Sequence, residues 1–257
     1  MSWISARIQE LQREGRKRRI SAGVTPLPAT DEMKDSSGQV LLRSKELTLL
    51  LDSRRGGRLL ELSDQRAHRN LLRSGWVDHL FAPSATLRDF LLGRARELEN
   101  LSGAYDARVR EGKGSVQAVL DRVTPVLKVR KTAALSSGGR RVLFTHRLAN
   151  ASGRPMKFLF ASELVFNLKD AHVNRLGEAP GVQRFAVLDP AARLRVSLAF
   201  GRPARLWHFP LETGSGARRV YQGVKLAGVW PVSLPARGSW QLKWELNVEE
   251  PGGWPRG

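Results

Sequence analysis

Along residues 157–168, KFLFASELVFNL, apolar side chains occupy both registers of a two-residue period. Phe158, Phe160, Ser162, Leu164, Phe166 and Leu168 fall on one face, and Leu159, Ala161, Glu163, Val165 and Asn167 on the other. The pattern predicts a strand covered on both sides. Glu163 is its misfit, a carboxylate between Ala161 and Val165, and burying it unpaired would cost several kcal/mol or force a proton onto it. A satisfied core carboxylate is therefore the expectation, and the abundance of Arg makes Arg the expected partner.

The same period recurs on both sides of this stretch. Strand patterns cover residues 40–42, 47–52 and 58–63, with Gly56 and Gly57 turning the last two into a hairpin. Residues 65–72 form a polar excursion. In WVDHLFAPSATLRDFLL, residues 76–92, a charged pair sits among apolar residues, and positions 86–92 predict a helical turn or short helix. Further strand patterns follow at 116–120, 123–131, 142–149, 183–188, 194–200, 204–209, 221–226 and 240–248. Gly153, Gly201, Gly214, Gly216 and Gly238 punctuate them at the spacing of antiparallel β structure, and SSGGRR at 136–141 reads as a hairpin turn. The fold expected is mainly β, a large antiparallel sandwich whose strand order the pattern leaves open. Residues 1–20 predict a helix, with Trp3, Ile4, Ile8 and Leu11 near one face and the basic run Arg16–Arg19 at its C-terminal end. The expected organisation is a helix and linker over 1–37, a β-sandwich over 38–250 and a tail over 251–257.

Composition narrows the function classes. The chain of 257 residues has no Cys, which excludes disulfides, thiolate-bound metals and thiol nucleophiles. It carries 33 Arg and 10 Lys against 24 acidic residues, a formal charge of +19. Such a field attracts polyanions without specificity, but the charges are dispersed singly or in pairs, as at Arg54 and Arg55 or Arg140 and Arg141, and read first as solvated surface. No segment approaches the ~18 apolar residues of a membrane span, and the first twenty residues have no apolar signal core. A soluble cytoplasmic protein is expected, with no membrane partner.

Candidate chemistry is sparse. Asp78 and His79 are adjacent, so a strand would send them to opposite faces and prevent a dyad, whereas a helical or turn conformation would let them share a site. His146 lies on a strand, His172 on a loop, and His208 lies between Trp207 and Phe209. Metal-ligand pairs of His, a nucleophile elbow and a glycine-rich phosphate loop are all missing, so no metal and no cofactor is expected. Trp207, Tyr221, Trp230, Trp240 and Trp244 crowd the last quarter. Most read as core; Trp230, in the turn-like run GVWPVSLP, is the better candidate for a ring facing a partner or sugar.

Several segments in order resemble one module. LDSRRGGRLLEL (51–62), NLL (70–72), VDHLF (77–81), FLFASELVFNL (158–168), FPLET (209–213), VYQGVKL (220–226) and WPVSL (230–234) resemble the C-terminal β-sandwich domain of glycoside hydrolase family 57 α-amylases and 4-α-glucanotransferases, over roughly 40–249. The resemblance implies a galactose-mutarotase-like β-supersandwich. It implies further that a distorted barrel elsewhere carries the catalytic Glu and Asp that act on α-1,4-glucans. The 37 residues before the sandwich leave no room for that barrel, so no catalytic residue is carried over. By the same likeness Asp78, His79, Glu163, Gln222 and Trp230 are candidates for contact with sugar or with the barrel, and Trp76 departs from the polar residue expected beside the motif. The first expectation is a non-catalytic module that binds α-glucan or maltooligosaccharide and assembles with a separate family 57 barrel in trans. A stand-alone mutarotase-like epimerase using His79, His146, His208 or Glu163 ranks second, and a basic anion- or nucleic-acid-binding protein third.

Overall fold

The computed structural model describes residues 38–168, 176–190, 192–213 and 220–250. The N-terminal helix and linker expected over 1–37, the tail over 251–257 and His172 lie outside these residues.

The described chain is built from antiparallel strands with one short helix. It begins with β1 (Gln39–Arg43), β2 (Leu47–Asp52), β3 (Arg58–Asp64), β4 (Arg69–Asn70) and β5 (Leu72–Phe81). Helix α1 (Leu87–Leu91) and β6 (Glu97–Glu99) follow. A meander then runs through β7 (Asp106–Gly112), β8 (Ser115–Val123), β9 (Leu127–Ser136) and β10 (Arg141–Asn150). The long strands β11 (Met156–Phe166), β12 (Gly177–Asp189), β13 (Leu194–Thr213), β14 (Val220–Leu234) and β15 (Ser239–Glu249) complete it.

Twelve of the described strands form one continuous path, β1-β2-β3-β5-β11-β14-β13-β15-β10-β9-β8-β7, while β4 pairs with β3, β6 with β5 and β12 with β13. Strand β13 folds that path in two. Its first part, Arg195 to Phe200, pairs with β15, and its second part, Arg205 to Thr213, pairs with β14. Sequence patterning expects two strands here, at 194–200 and 204–209. One strand runs through both because Gly201 and Pro203 fall where the pairing partner changes, a site that needs no ladder donor from Pro. The two halves face each other, as contacts across the gap record: the Trp76 ring of β5 lies 4.9 Å from Phe144 of β10, and Phe160 of β11 lies 5.3 Å from Trp240 of β15. Phe144 in turn stacks on Trp244 at 4.2 Å. A fully buried Phe in such a stack contributes about 3–5 kcal/mol against Ala.

Strand β11 sits where its pattern puts it. Between β5 and β14 it is covered on both faces: Phe158, Phe160, Leu164 and Phe166 join the sandwich core, while Leu159 and Ala161 join a second apolar cluster on the outer face with Phe81, Trp207 and Val229. Helix α1 closes that cluster. Thr86 caps it, accepting from the Asp89 amide while the Asp89 carboxylate accepts from the Thr86 amide. The cap holds Phe90 over the sheet, 5.4 Å from the Trp207 ring and 5.7 Å from Phe81.

Trp230 corrects an expectation. It lies within β14, opposite Phe160 in β11, and not in a turn. Its ring is 3% exposed, packs 5.5 Å from Phe200, and donates from its indole nitrogen to the Arg202 carbonyl. Pro231 supplied the turn signal, yet β14 pairs through it, so the ring is a core element and faces no partner.

Candidate functional site

Two charged clusters occupy opposite faces of β5 and β11. The inner one starts from polar residues placed on apolar periods. Lys131 follows Leu127 and Val129 on the buried side of β9, His146 follows Val142 and Phe144 in β10, and Ser162 follows Phe158 and Phe160 in β11. Alternation therefore carries all three into the core, where Asp78 of β5 meets them. The Lys131 ammonium is 0% exposed and lies 2.9 Å from Asp78 Oδ2. Ser162 donates to Asp78 Oδ1 at 2.8 Å, and His146 Nε2 stands 3.1 Å from the same oxygen. Burial opposes ionisation of Asp78, but the charges of His146 and Lys131 and their hydrogen bonds outweigh it and hold the carboxyl well below the usual carboxylate range. Burial lowers Lys131 as well, offset in part by Asp78.

A bulge completes this cluster. Glu163 pairs with Val77 and Leu164 with Gly75, so Trp76 is the extra residue of β5, held at a φ of 55°. A non-glycine residue in that region stores roughly 1–3 kcal/mol of strain. The bulge turns the Trp76 carbonyl toward Lys131, which donates to it at 2.7 Å and to the Gly56 carbonyl at 3.1 Å, while the ammonium lies 4.2 Å from the Trp76 ring centroid. The ring thus satisfies by cation–π contact what a polar residue at this position was expected to supply. Its indole N–H also points at His146 Nε2, 2.8 Å away. That nitrogen cannot both accept from Trp76 and donate to Asp78, and when the charged ring donates to Asp78 the Trp76 N–H has no acceptor there.

The outer cluster belongs to the opposite register. His79 Nδ1 lies 2.7 Å from Glu97 Oε1, and its Nε2 lies 3.6 Å from Glu163 Oε2, an ion-pair contact just beyond hydrogen-bond reach. Lys225 of β14 binds the same Glu163 oxygen at 2.7 Å. The partners of Glu163 are therefore His and Lys, not the expected Arg, because strand pairing sets Ala161 opposite His79 and Val165 opposite Lys225, each two residues from Glu163 on the same face. Burial disfavours the His79 cation, yet Glu163 and Glu97 overcome it and raise the imidazole to about 9. Burial likewise opposes the Glu163 carboxylate, and His79 and Lys225 outweigh it, so its pKa is lowered. The His79 ring stacks on Phe81 at 5.0 Å, and the Lys225 ammonium lies 5.0 Å from the Phe90 ring centroid. Leu91 and Leu92, which follow Phe90 at the end of α1, and Leu98, which follows Glu97 in β6, are exposed.

The five expected site residues thus part company. His79 and Glu163 meet on the outer face, and Asp78 lies inside, as the opposite facing of adjacent strand residues requires. Trp230 is core. Gln222 accepts from the Arg73 guanidinium at 3.0 Å, toward the Phe166 end of β11 and away from His79. His146 sits inside the sandwich and His208 stacks near Phe185, so neither joins His79. Lys131 was missed, although a Lys on the apolar period of LKVRKTAALS was the available signal. Two hollows were missed as well. One, of about 480 Å³, lies on the outer side of β12, β13 and β15 among Arg184, Phe185, Ser197, Glu245, Asn247 and Glu249. The other, of about 260 Å³, lies beside Asp78. Among the described residues no group of His and acidic side chains is arranged to hold a metal ion, and no helix is long and apolar enough to cross a membrane.

The strand path, the folded-over β13 and the inner faces define an antiparallel β-supersandwich of the galactose-mutarotase-like class. A galactose mutarotase-like protein from Lactobacillus casei shares it with a TM-score of 0.60 at 10% identity, over 82% of this chain and 100% of that one. More narrowly, residues 71–244 match the family model for the alpha-amylase/4-alpha-glucanotransferase C-terminal domain, and the chain belongs to that family. A 4-alpha-glucanotransferase from Thermococcus kodakarensis is 28% identical over 194 residues, which are 74% of this chain and 28% of that protein's length. The crystal structure of 4-alpha-glucanotransferase from Thermococcus litoralis superposes with a TM-score of 0.65 at 19% identity, over 84% of this chain and 38% of that one.

Proposed function

We propose that this chain is a non-catalytic sandwich module of α-glucan metabolism, which packs on a catalytic barrel lying outside these residues and contributes to holding the glucan. The observation that carries the reading is the family match over 71–244, which runs from the approach to β5 into β15 and takes in both charged clusters. The chain spans 28% of the length of the curated glucanotransferase it matches, so that protein's activity enters here only as part of the proposal.

Geometry supports a division of labour between two surfaces. The barrel docks on the outer face of β5, β11 and β14, where Leu91, Leu92 and Leu98 rim a half-buried charged network. Exposed apolar side chains near paired charged groups have the make-up of an interface. Glucan contacts the hollow at Phe185, where Glu245, Asn247 and Arg184 offer planar hydrogen-bonding groups beside an aromatic ring. Neither cluster is arranged as an acid and base with free reach to a substrate. His79 is held as a cation between two carboxylates, and Asp78 is sealed by Lys131.

Two measurements test this. Calorimetric titration with maltoheptaose is expected to show weak binding that Asn247→Ala reduces, and immobilised protein is expected to retain a family 57 catalytic barrel. Failure of both leaves only the fold.

A further inference from the structure

The smaller hollow has features that neither glucan contact nor domain packing uses. It opens where the sheet is interrupted: on its β3 side, β5 is paired at Gly75 with Leu59 and next at Leu80 with Glu99 of β6. Between those points the β2–β3 turn and residues Leu101 and Ser102 close around a space of about 260 Å³. Its chemistry is unbalanced. Arg58 Nε is buried and has no hydrogen-bond acceptor, and the Arg58 guanidinium has no ion pair among the described residues. Arg55 also lines the space, and its ion pair with Asp52 is long, at 3.9 Å. The carboxylate in the wall does not correct this, because Asp78 is already matched by Lys131 at 2.9 Å and engaged by Ser162 and His146. Arg58 therefore lines the space with no ion pair among the described residues, and Arg55 lines it with only a long one.

The walls are fixed before any ligand arrives. Gly56, at a φ of 75°, leaves little room for a side chain, since a Cβ there would lie 3.2 Å from Ser102 Cα on a backbone that L residues rarely adopt. Lys131 ties the Gly56 carbonyl of one wall to the Trp76 carbonyl of the other. A preformed site loses less entropy on binding. The volume is below the roughly 300 Å³ at which drug-sized pockets begin, so it suits one small molecule and not an oligosaccharide. Val77 and Leu101 supply an apolar wall for ring C–H groups, and Ser102 adds a hydroxyl.

We propose that the cavity between the β2–β3 turn and β5 binds a monosaccharide-sized anion, a sugar carrying a phosphate or a carboxylate, through Arg58 and Arg55. Guanidinium groups recognise both of those anions by paired, charge-assisted hydrogen bonds. The site is separate from the proposed glucan hollow and does not depend on it, so the chain would sense a charged sugar while a neutral glucan is held elsewhere.

Calorimetric titration of the whole chain at low salt with glucose 1-phosphate, glucose 6-phosphate, glucuronate, glucose and inorganic phosphate tests the assignment. At least one charged sugar is expected to bind, at least tenfold more tightly than glucose or inorganic phosphate, and the preferred one identifies the anion. Arg58→Gln is expected to weaken that binding tenfold or more and Arg55→Gln by less. Ser102→Trp, which keeps every charge but fills the mouth from an exposed position, is expected to abolish it. Circular dichroism monitors folding of each variant. Silence with all three charged sugars, inorganic phosphate binding as tightly as the best of them, or unchanged affinity in both folded Arg58→Gln and Ser102→Trp overturns the proposal. Maltoheptaose binding is read separately, so loss of one activity does not decide the other.

Discussion

Asp78 and His79 are neighbours in sequence and live in different solvents. The first turns inward with Ser162 to meet Lys131 and His146, with its side chain 1% exposed; the second turns outward with Glu163 to meet Glu97 and Lys225, with its side chain 18% exposed. Both clusters pair carboxylates with cations, yet the consequences of losing a partner differ. Inside, water cannot replace it, and the remaining charge bears its full desolvation cost. Outside, solvent and a second carboxylate remain at hand. The comparison shows that the period-two facing of a strand, more than the identity of its charges, decides which ion pairs are structural and which are available to a partner.

The sharpest way to break the comparison is Lys131→Met, which leaves Asp78 buried without its cation. A loss of about 3–5 kcal/mol is expected, read as a fall in the urea midpoint. Adding Asp78→Asn should restore much of it, because removing both charges removes the desolvation problem. A double mutant no more stable than Lys131→Met would mean that packing around the lysine stem, and not the ion pair, carries the cost.

Next in size is the pH response of the outer cluster. Folded His79 keeps its proton to about pH 9, whereas an unfolded imidazole releases it near 6.5. Its contribution is therefore complete below about pH 6.5 and disappears as pH rises through 9, with a ceiling of about 3 kcal/mol. The inner cluster responds in the other direction: the depressed carboxyl of Asp78 stabilises the fold above the ordinary carboxylate range and ceases to do so as acid protonates it. Glu163, also depressed, adds to the acid-side loss. Urea melts from pH 6 to 9.5 are expected to show declining stability in the wild type and a flatter profile in His79→Gln. An equal slope in both would assign the alkaline loss to other groups.

Much of this arrangement was legible in the chain. The two-sided burial of β11, the hairpin at Gly56 and Gly57, the helical turn after Thr86 and the opposite facing of Asp78 and His79 all follow from local period and turn chemistry. What failed was non-local. The partner of Glu163 depends on register between β5, β11 and β14, which no single segment encodes. Trp230 was misplaced because a Pro next to it imitates a turn, although β14 carries Pro231 within its ladder. The route of β13 through both halves of the sandwich was hidden by Gly201 and Pro203, which punctuate a sequence even where the chain continues straight. The cavity at Arg58 was invisible because it arises from a gap in pairing along β5.

A smaller perturbation sharpens the outer side. Glu163→Gln removes the anion shared by His79 and Lys225, at an expected cost of about 1–2 kcal/mol. It should also lower the His79 midpoint from about 9 toward its ordinary value, with Glu97 as its one remaining carboxylate partner. A proton NMR titration of the imidazole reads this directly. A midpoint that stays near 9 would show that Glu97 alone holds the proton and that Glu163 answers mainly to Lys225.

The smallest expected effect on stability separates folding from docking. Leu92 is 53% exposed at the end of α1, so Leu92→Ser should shift stability by no more than about 0.5 kcal/mol. If the outer face is where a barrel packs, the same substitution should weaken capture of that barrel several-fold, since an apolar rim residue excludes water from the charged network it borders. Lys131→Met, measured at a temperature where it remains folded, should leave capture unchanged, because its effect is confined to the other side of the sheet. Capture that falls with Lys131→Met and ignores Leu92→Ser would reverse the assignment of the two faces.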